Sequence, residues 1–201
     1  MDMKMNKAEK TRNYIIEKAA PIFNKYGYRG TTMSQLTRAI NMTKGAIYGN
    51  FKDKDEIALA VFDYNFAEVS KKIERAVLSE EDSCDRLIVF ARSYLEEFSE
   101  ISQRGGCPIL NAAVDSDDAH QPLREKVAAT IETWMGNVSR IVTRGIKRGE
   151  IKGDTDPEKF ASLFVSLIEG GIMLSKITGD TIHLRRNVDH LVNMVNYELR
   201  K

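Results

Sequence analysis

Apolar residues recur at helical spacing along nearly the whole chain, and no stretch alternates at the period of a strand. Ile15, Ala19, Ile22, Phe23 and Tyr26 share one face of a first helix that stops at Gly27. Pro21 lies inside it and should kink it, because proline removes one backbone hydrogen bond. Thr32-Met33-Ser34-Gln35 reads as a capping box opening a short helix with Leu36, Ala39 and Ile40 inward. Asn41-Met42 is a turn, and Thr43 caps another short helix running to about Asn50. A second capping box, Asp53-Lys54-Asp55-Glu56, opens a long helix carrying Ile57, Val61, Val69, Ile73 and Val77.

Longer amphipathic segments follow. Leu87, Phe90, Ala91, Tyr94, Leu95 and Phe98 form one, broken at Gly105-Gly106. A short apolar piece, Cys107 to Val114, precedes a turn-like stretch from Asp115 to Gln121. Pro122 suits the first turn of the next helix, which ends near Gly149. Asp156-Pro157 starts a helix ending at Gly179, and a last one carries Leu184 to Leu199. The expected fold is all-α. A three-helix N-terminal domain (residues 1–52) precedes a larger C-terminal helical bundle (residues 53–201).

Charge sharpens this division. The 201 residues carry a net charge of only +1. Met1 to Lys52 nevertheless holds ten bases and three acids, against twenty and twenty-six in the remainder. A basic head on an acidic body points to a polyanion partner for the head, with a solvated basic face as the alternative. No uninterrupted apolar run approaches about 18 residues, and the charged start is not a secretory signal. With two cysteines, Cys84 and Cys107, a reducing cytoplasmic location without membrane attachment is expected.

Two short helices joined by a tight turn, Thr32–Ala39 and Thr43–Asn50, have the spacing of a helix-turn-helix. The second helix of that motif enters the DNA major groove. Thr43 and Lys44 stand at its N-terminal end, where free N–H groups favour phosphate. Gly45 and Ala46 let the backbone approach the duplex, and the Ala46 methyl can meet a thymine methyl. Tyr48 offers a ring for sugar or methyl contact and a hydroxyl for phosphate, and Lys54 can hold the DNA backbone. The alternative is a helical hairpin packed into a core, with Tyr48 half buried.

The stretch Gly27-Tyr28-Arg29-Gly30-Thr31-Thr32-Met33-Ser34-Gln35-Leu36, followed by Thr43-Lys44-Gly45-Ala46-Ile47-Tyr48 and Phe51-Lys52-Asp53-Lys54-Asp55-Glu56-Ile57, resembles the DNA-binding domain of the TetR family of transcriptional regulators. The likeness covers about Thr11 to Phe62. The family's usual pattern has an aromatic and a histidine where Gly49 and Asn50 stand. That departure removes one aromatic DNA contact, while Asn50 can still bond a phosphate or a base edge. The resemblance implies a homodimer on a pseudo-palindromic operator, usually a repressor, released by a small-molecule effector. On this reading the DNA-binding set is Thr32, Gln35, Thr43, Lys44, Gly45, Ala46, Tyr48, Asn50 and Lys54. It also implies that helices 156–178 and 180–199 pair with the partner chain, with Gly170, Gly171 and Ser175 permitting close approach. Effector-contact candidates are Phe62, Phe66, Phe90, Tyr94, Cys107, Trp134 and Met135, on helices expected to line a pocket.

Competing functions have thinner support. Cys107 at a helix start could sense electrophiles or oxidants, or could act as a nucleophile assisted by His120 or Asp115, but no nucleotide-binding glycine loop or second catalytic cluster accompanies it. His183 and His190 stand seven apart without a cysteine or paired carboxylates, which does not make a zinc site. No cofactor and no enzymatic activity are expected. A constitutive, nucleoid-type DNA binder without an effector is the third possibility.

Overall fold

The computed structural model describes residues 6–116 and 120–201. Ten α-helices and a terminal π-helical segment account for most of them. The described parts of Met1–Glu68 and Pro108–Val127 form one compact unit, and Val69–Cys107 with the described part of Ala128–Lys201 forms another.

The first unit opens with α1 (Lys7–Gly30), capped by Asn6, whose side chain accepts from the Glu9 N–H while Glu9 reaches back to the Asn6 N–H. The break in α1 lies at Gly27 (φ 71°), not at Pro21. Pro21 sits on an exposed face, where water can take the carbonyl that the missing N–H leaves. Gly27 has two reasons to be glycine. Its φ is positive, and a Cβ there would lie 2.8 Å from the Asp115 carboxyl.

Helices α2 (Met33–Ile40), α3 (Lys44–Tyr48) and the start of α4 (Lys54–Ser79) complete the head. Ile15, Leu36, Ile40, Ile47 and Ile57 are fully buried together with Ala19 and Phe51. The second capping box is only half formed. Asp53 accepts the Glu56 N–H at 2.8 Å, but the Glu56 carboxylate takes the Lys52 N–H at 2.7 Å and the Arg12 guanidinium instead.

The apolar piece after Cys107 is a helix, α7 (Pro108–Ser116), lying against α1. The Asn111 amide donates to the Asn24 carbonyl at 3.0 Å, and the Tyr28 N–H donates to Asp115. Asp115 therefore belongs to a helix rather than to the expected turn, the middle of which (117–119) lies outside the described residues. His120 follows as an N-terminal cap. Its Nδ1 accepts the Leu123 N–H at 3.0 Å at the start of α8 (Gln121–Arg148).

In the second unit, α5 (Ser83–Glu96) packs with α9 (Pro157–Thr178) and α10 (Ile182–Asn193), and α6 (Phe98–Gln103) is a short turn after α5. Helix α9 packs along α10, and Phe164, Ile168 and Ile172 of the one and Leu184, Val188 and Leu191 of the other are all nearly inaccessible to solvent. Gly171 sits 2.9 Å (measured from an added Cβ) from the Leu184 Cα, and Ser175 Oγ accepts the Leu184 N–H at 2.9 Å. These two small residues thus serve the close approach of α9 and α10 within one chain. Gly170 points into open space. The π-helical segment Met194–Leu199 ends in a tie to the α8–α9 turn, with Lys152 N–H donating to the Leu199 carbonyl and Lys201 N–H to that of Glu150. By length and mean hydropathy α9 is one helix that could cross a membrane, and 44% of its apolar stretch is buried in the unit.

Candidate nucleic-acid interface

Helix α3 has five residues, too few to be stable alone. Three features hold it. Thr43 Oγ1 accepts the Ala46 N–H at 3.2 Å, Ile47 is fully buried, and the preceding turn is set by Asn41 in the left-handed region (φ 56°). Helix α2 is fixed in the same way. Thr32 Oγ1 accepts the Gln35 N–H at 3.2 Å, and Gln35 Oε1 accepts the Thr32 N–H at 2.7 Å. Thr32 and Gln35 are thus first of all a cap, with Thr32 exposed beside it.

With Ile47 as its anchor, α3 turns its remaining surface outward. Thr43, Lys44, Gly45 and Gly49 are exposed, and Ala46, Tyr48 and Asn50 are half-buried. A Cβ on Gly45 would meet nothing within 4 Å, so the site is open for another molecule to approach. Lys44 Nζ lies 5.8 Å from the centre of the Tyr48 ring. The structure therefore brings Thr43, Lys44, Gly45, Ala46 and Tyr48 onto one presented helix.

Two expected DNA contacts are otherwise engaged. Asn50 Nδ2 donates to the Ala46 carbonyl at 2.9 Å, closing the end of α3. Lys54 Nζ donates to the Tyr28 carbonyl at 2.5 Å and lies 4.2 Å from the Tyr28 ring centre. Burial lowers the Lys54 pKa, against the pull of Asp115 and Asp55. The Tyr28 hydroxyl donates to Asp55, and desolvation followed by that bond pushes its pKa up to about 12.

Residues 15–61 match the family model described as bacterial regulatory proteins of the tetR family, and residues 83–191 match a tetracyclin repressor-like C-terminal domain. The chain belongs to the TetR family of transcriptional regulators. It is similar to a solved TetR transcriptional regulator from Chloroflexus aurantiacus J-10-FL, with 34% identity, a TM-score of 0.90 and coverage of 98% of this chain and 99% of that one. A TetR-family regulator from Cytophaga hutchinsonii is 33% identical, with a TM-score of 0.86 and 96% coverage of each chain. The HTH-type transcriptional repressor DhaR of Mycobacterium sp. (strain GP1) is 24% identical over 166 residues, 83% of this chain and 82% of that protein. A TetR-family member is a DNA-binding transcriptional regulator, and α2–turn–α3 is this chain's helix-turn-helix.

The sequence does not mark Arg12, which clamps the end of α3 from α1. Its guanidinium donates to the Asn50 carbonyl at 2.7 Å, pairs with Glu56 at 2.7 Å and lies 4.0 Å from the Phe51 ring centre. No local pattern marks it, because its partners Asn50 and Glu56 lie 38 and 44 residues away.

The effector candidates separate. Phe62 and Phe66 belong to the first unit, where Phe62 is buried beside Asn65. Phe90, Tyr94 and Trp134 form a ring stack in the second, with centroids 6.0 Å and 5.3 Å apart. Met135 is half-buried next to Trp134. Cys107 Sγ donates to Glu169 Oε1 at 2.9 Å, and neither cysteine is in a disulfide. Burial raises the Glu169 pKa to about 7, with the Cys107 bond pulling the other way. Glu169 Oε2 and Trp134 Nε1 are buried without a hydrogen-bond partner among the described residues.

Proposed function

We propose that this TetR-family regulator is a homodimeric repressor that binds a pseudo-palindromic operator through α3 and is released by a small-molecule effector. The observation that carries it is the presentation of α3, a five-residue helix held from behind by buried Ile47, its Thr43 cap, the Asn41 turn and Arg12, with Thr43, Lys44, Gly45 and Tyr48 left for DNA. Residues 1–52 read DNA, and residues 53–201 bind effector and partner. Thr32, Gln35, Asn50 and Lys54 support the reading helix, with Thr32 and Gln35 at the phosphate side. No step of this function needs a cofactor, a metal or an enzymatic reaction.

The dimer forms through helices 156–178 and 180–199. Leu163, Gly170, Leu174 and Ile177 fall on one stripe of α9, and Ile177 is 80% exposed. A second copy covering that stripe accounts for the apolar character of α9 without a membrane. Two recognition helices about 34 Å apart then fit successive major grooves. The effector acts by binding the DNA-incompetent arrangement more tightly.

Selection of duplexes from random DNA tests this. The expected outcome is a palindromic site, lost on adding one metabolite from a screen. Sequence-indifferent binding with a steep salt dependence would instead identify a nucleoid-type protein. The thiol-sensor reading gains no observation of its own, because Cys107 is already a hydrogen-bond donor inside the core.

A further inference from the structure

A cavity of ≈ 350 Å³ lies in the second unit between the end of α4, the start of α5 and the middle of α8. That is within the size range of small-molecule sites. Its inner wall is apolar, with Ile73, Val77 and Phe90 all buried. Its rim is not. Arg86, Arg140 and Arg144 all line it, against the single carboxylate of Glu74.

These arginines differ from others in the same unit. Arg104 pairs with Glu100, Arg148 with Glu150, and Arg200 with Asp82 and Asp85. The three at the rim bond only neutral acceptors among the described residues. Arg86 Nε donates to the Glu80 carbonyl at 2.7 Å, Arg144 to the Glu81 carbonyl at 3.3 Å, and Arg140 to the Asn137 side chain. Arg140 and Arg144 stand four apart on α8, a spacing at which like charges repel. Each guanidinium carries five N–H donors, so donor capacity remains at every one.

We propose that this cavity binds an amphipathic organic anion, its carboxylate or sulfonate head held by Arg140, Arg144 and Arg86 and its apolar body against Phe90, Ile73 and Val77. Planar guanidinium forks match such heads bidentately and do so far better than they match an alcohol. A cation is repelled by the rim, and a neutral apolar molecule leaves the arginines unserved. Phe90 also places the occupant against the ring stack of Tyr94 and Trp134. The inference deepens the effector-released repressor proposed above by giving its effector a chemical class.

Isothermal titration calorimetry of the full chain with decanoate, decan-1-ol and decyltrimethylammonium, each below its aggregation threshold, tests it. Decanoate should bind at least roughly tenfold more tightly than the other two. The double variant Arg140→Gln/Arg144→Gln, at exposed and half-buried positions that tolerate it, should lose about tenfold for decanoate while leaving decan-1-ol unchanged. Equal binding of the alcohol or the cation, no binding of decanoate, or a double variant that holds decanoate as tightly as the native chain would each overturn the proposal. The titration contains no DNA, so its failure removes the anion site and leaves the operator reading to its own test.

Discussion

Glu169 shows how much one side chain can depend on its surroundings. Buried in α9 with one oxygen on Cys107 and the other without a hydrogen-bond partner among the described residues, it resists ionisation up to about pH 7. A carboxyl whose pKa is raised on folding keeps more protons in the native state than in the unfolded chain between its two pKa values. Stability therefore falls as pH rises from about 4.5 towards 7, by about 3 kcal/mol at most. Glu169→Gln keeps an acceptor for the Cys107 thiol and removes the ionisation. Melting temperatures of the variant should lose the decline between pH 5 and 7 that the native chain shows. Parallel pH profiles for the two proteins would mean that Glu169 is already solvated in the native state.

Lys54 makes a different point at the same scale. A lysine at a helix start beside a basic motif looks like a phosphate ligand, and its sequence context contains nothing against that. Its partner, the Tyr28 carbonyl, is 26 residues away, and only the fold brings it to 2.5 Å.

Among the elements, α3 departs most from ordinary helix logic. One glycine within its five residues and another at its C-cap weaken it, and the structure separates their reasons. Gly45 faces open space where DNA would come, whereas Gly49 has ordinary helical angles (φ −72°, ψ −14°). A Cβ on Gly49 would meet only the Ala46 and Gly45 carbonyl oxygens at 3.5 Å. Gly49→Ala should therefore raise stability by roughly 0.4–1 kcal/mol, measured by urea unfolding. A lower midpoint would show strain at this position that the backbone angles do not reveal.

The helices themselves were legible from spacing and caps because those signals are local. Thr32 with Gln35, Thr43, and Asp156-Pro157 all cap as the sequence indicates. What local pattern cannot carry is docking. Helix α7 is anchored to α1 by Asn111 on Asn24 and Asp115 on Tyr28, contacts spanning 87 residues. Asp115 and Ser116, at its end, read as the start of a turn until the distant partner of Asp115 is known. The same holds for Arg12, whose clamp on Asn50 and Glu56 joins residues 38 and 44 positions apart. The presented face of α3 was readable, and the residues that hold it in place were not.

For the whole molecule, the proposal depends on two copies acting together. The stripe through Leu163, Leu174 and Ile177 is the surface a partner would cover, and a charge at its most exposed member should prevent that. Ile177→Asp should sediment as a monomer at micromolar concentration and bind operator far more weakly, because one half-site alone remains. An Ile177→Asp protein that stays dimeric would move the interface elsewhere on the chain.

The most direct test of the central claim is the affinity of the selected operator for Lys44→Ala and Tyr48→Ala, with circular dichroism and dimer mass recorded alongside. Both side chains are presented on α3, and neither is in the buried core. Each variant should remain a folded dimer and lose roughly 1–3 kcal/mol of operator binding. Native affinity in both variants would contradict the assignment of α3 as the helix that reads DNA.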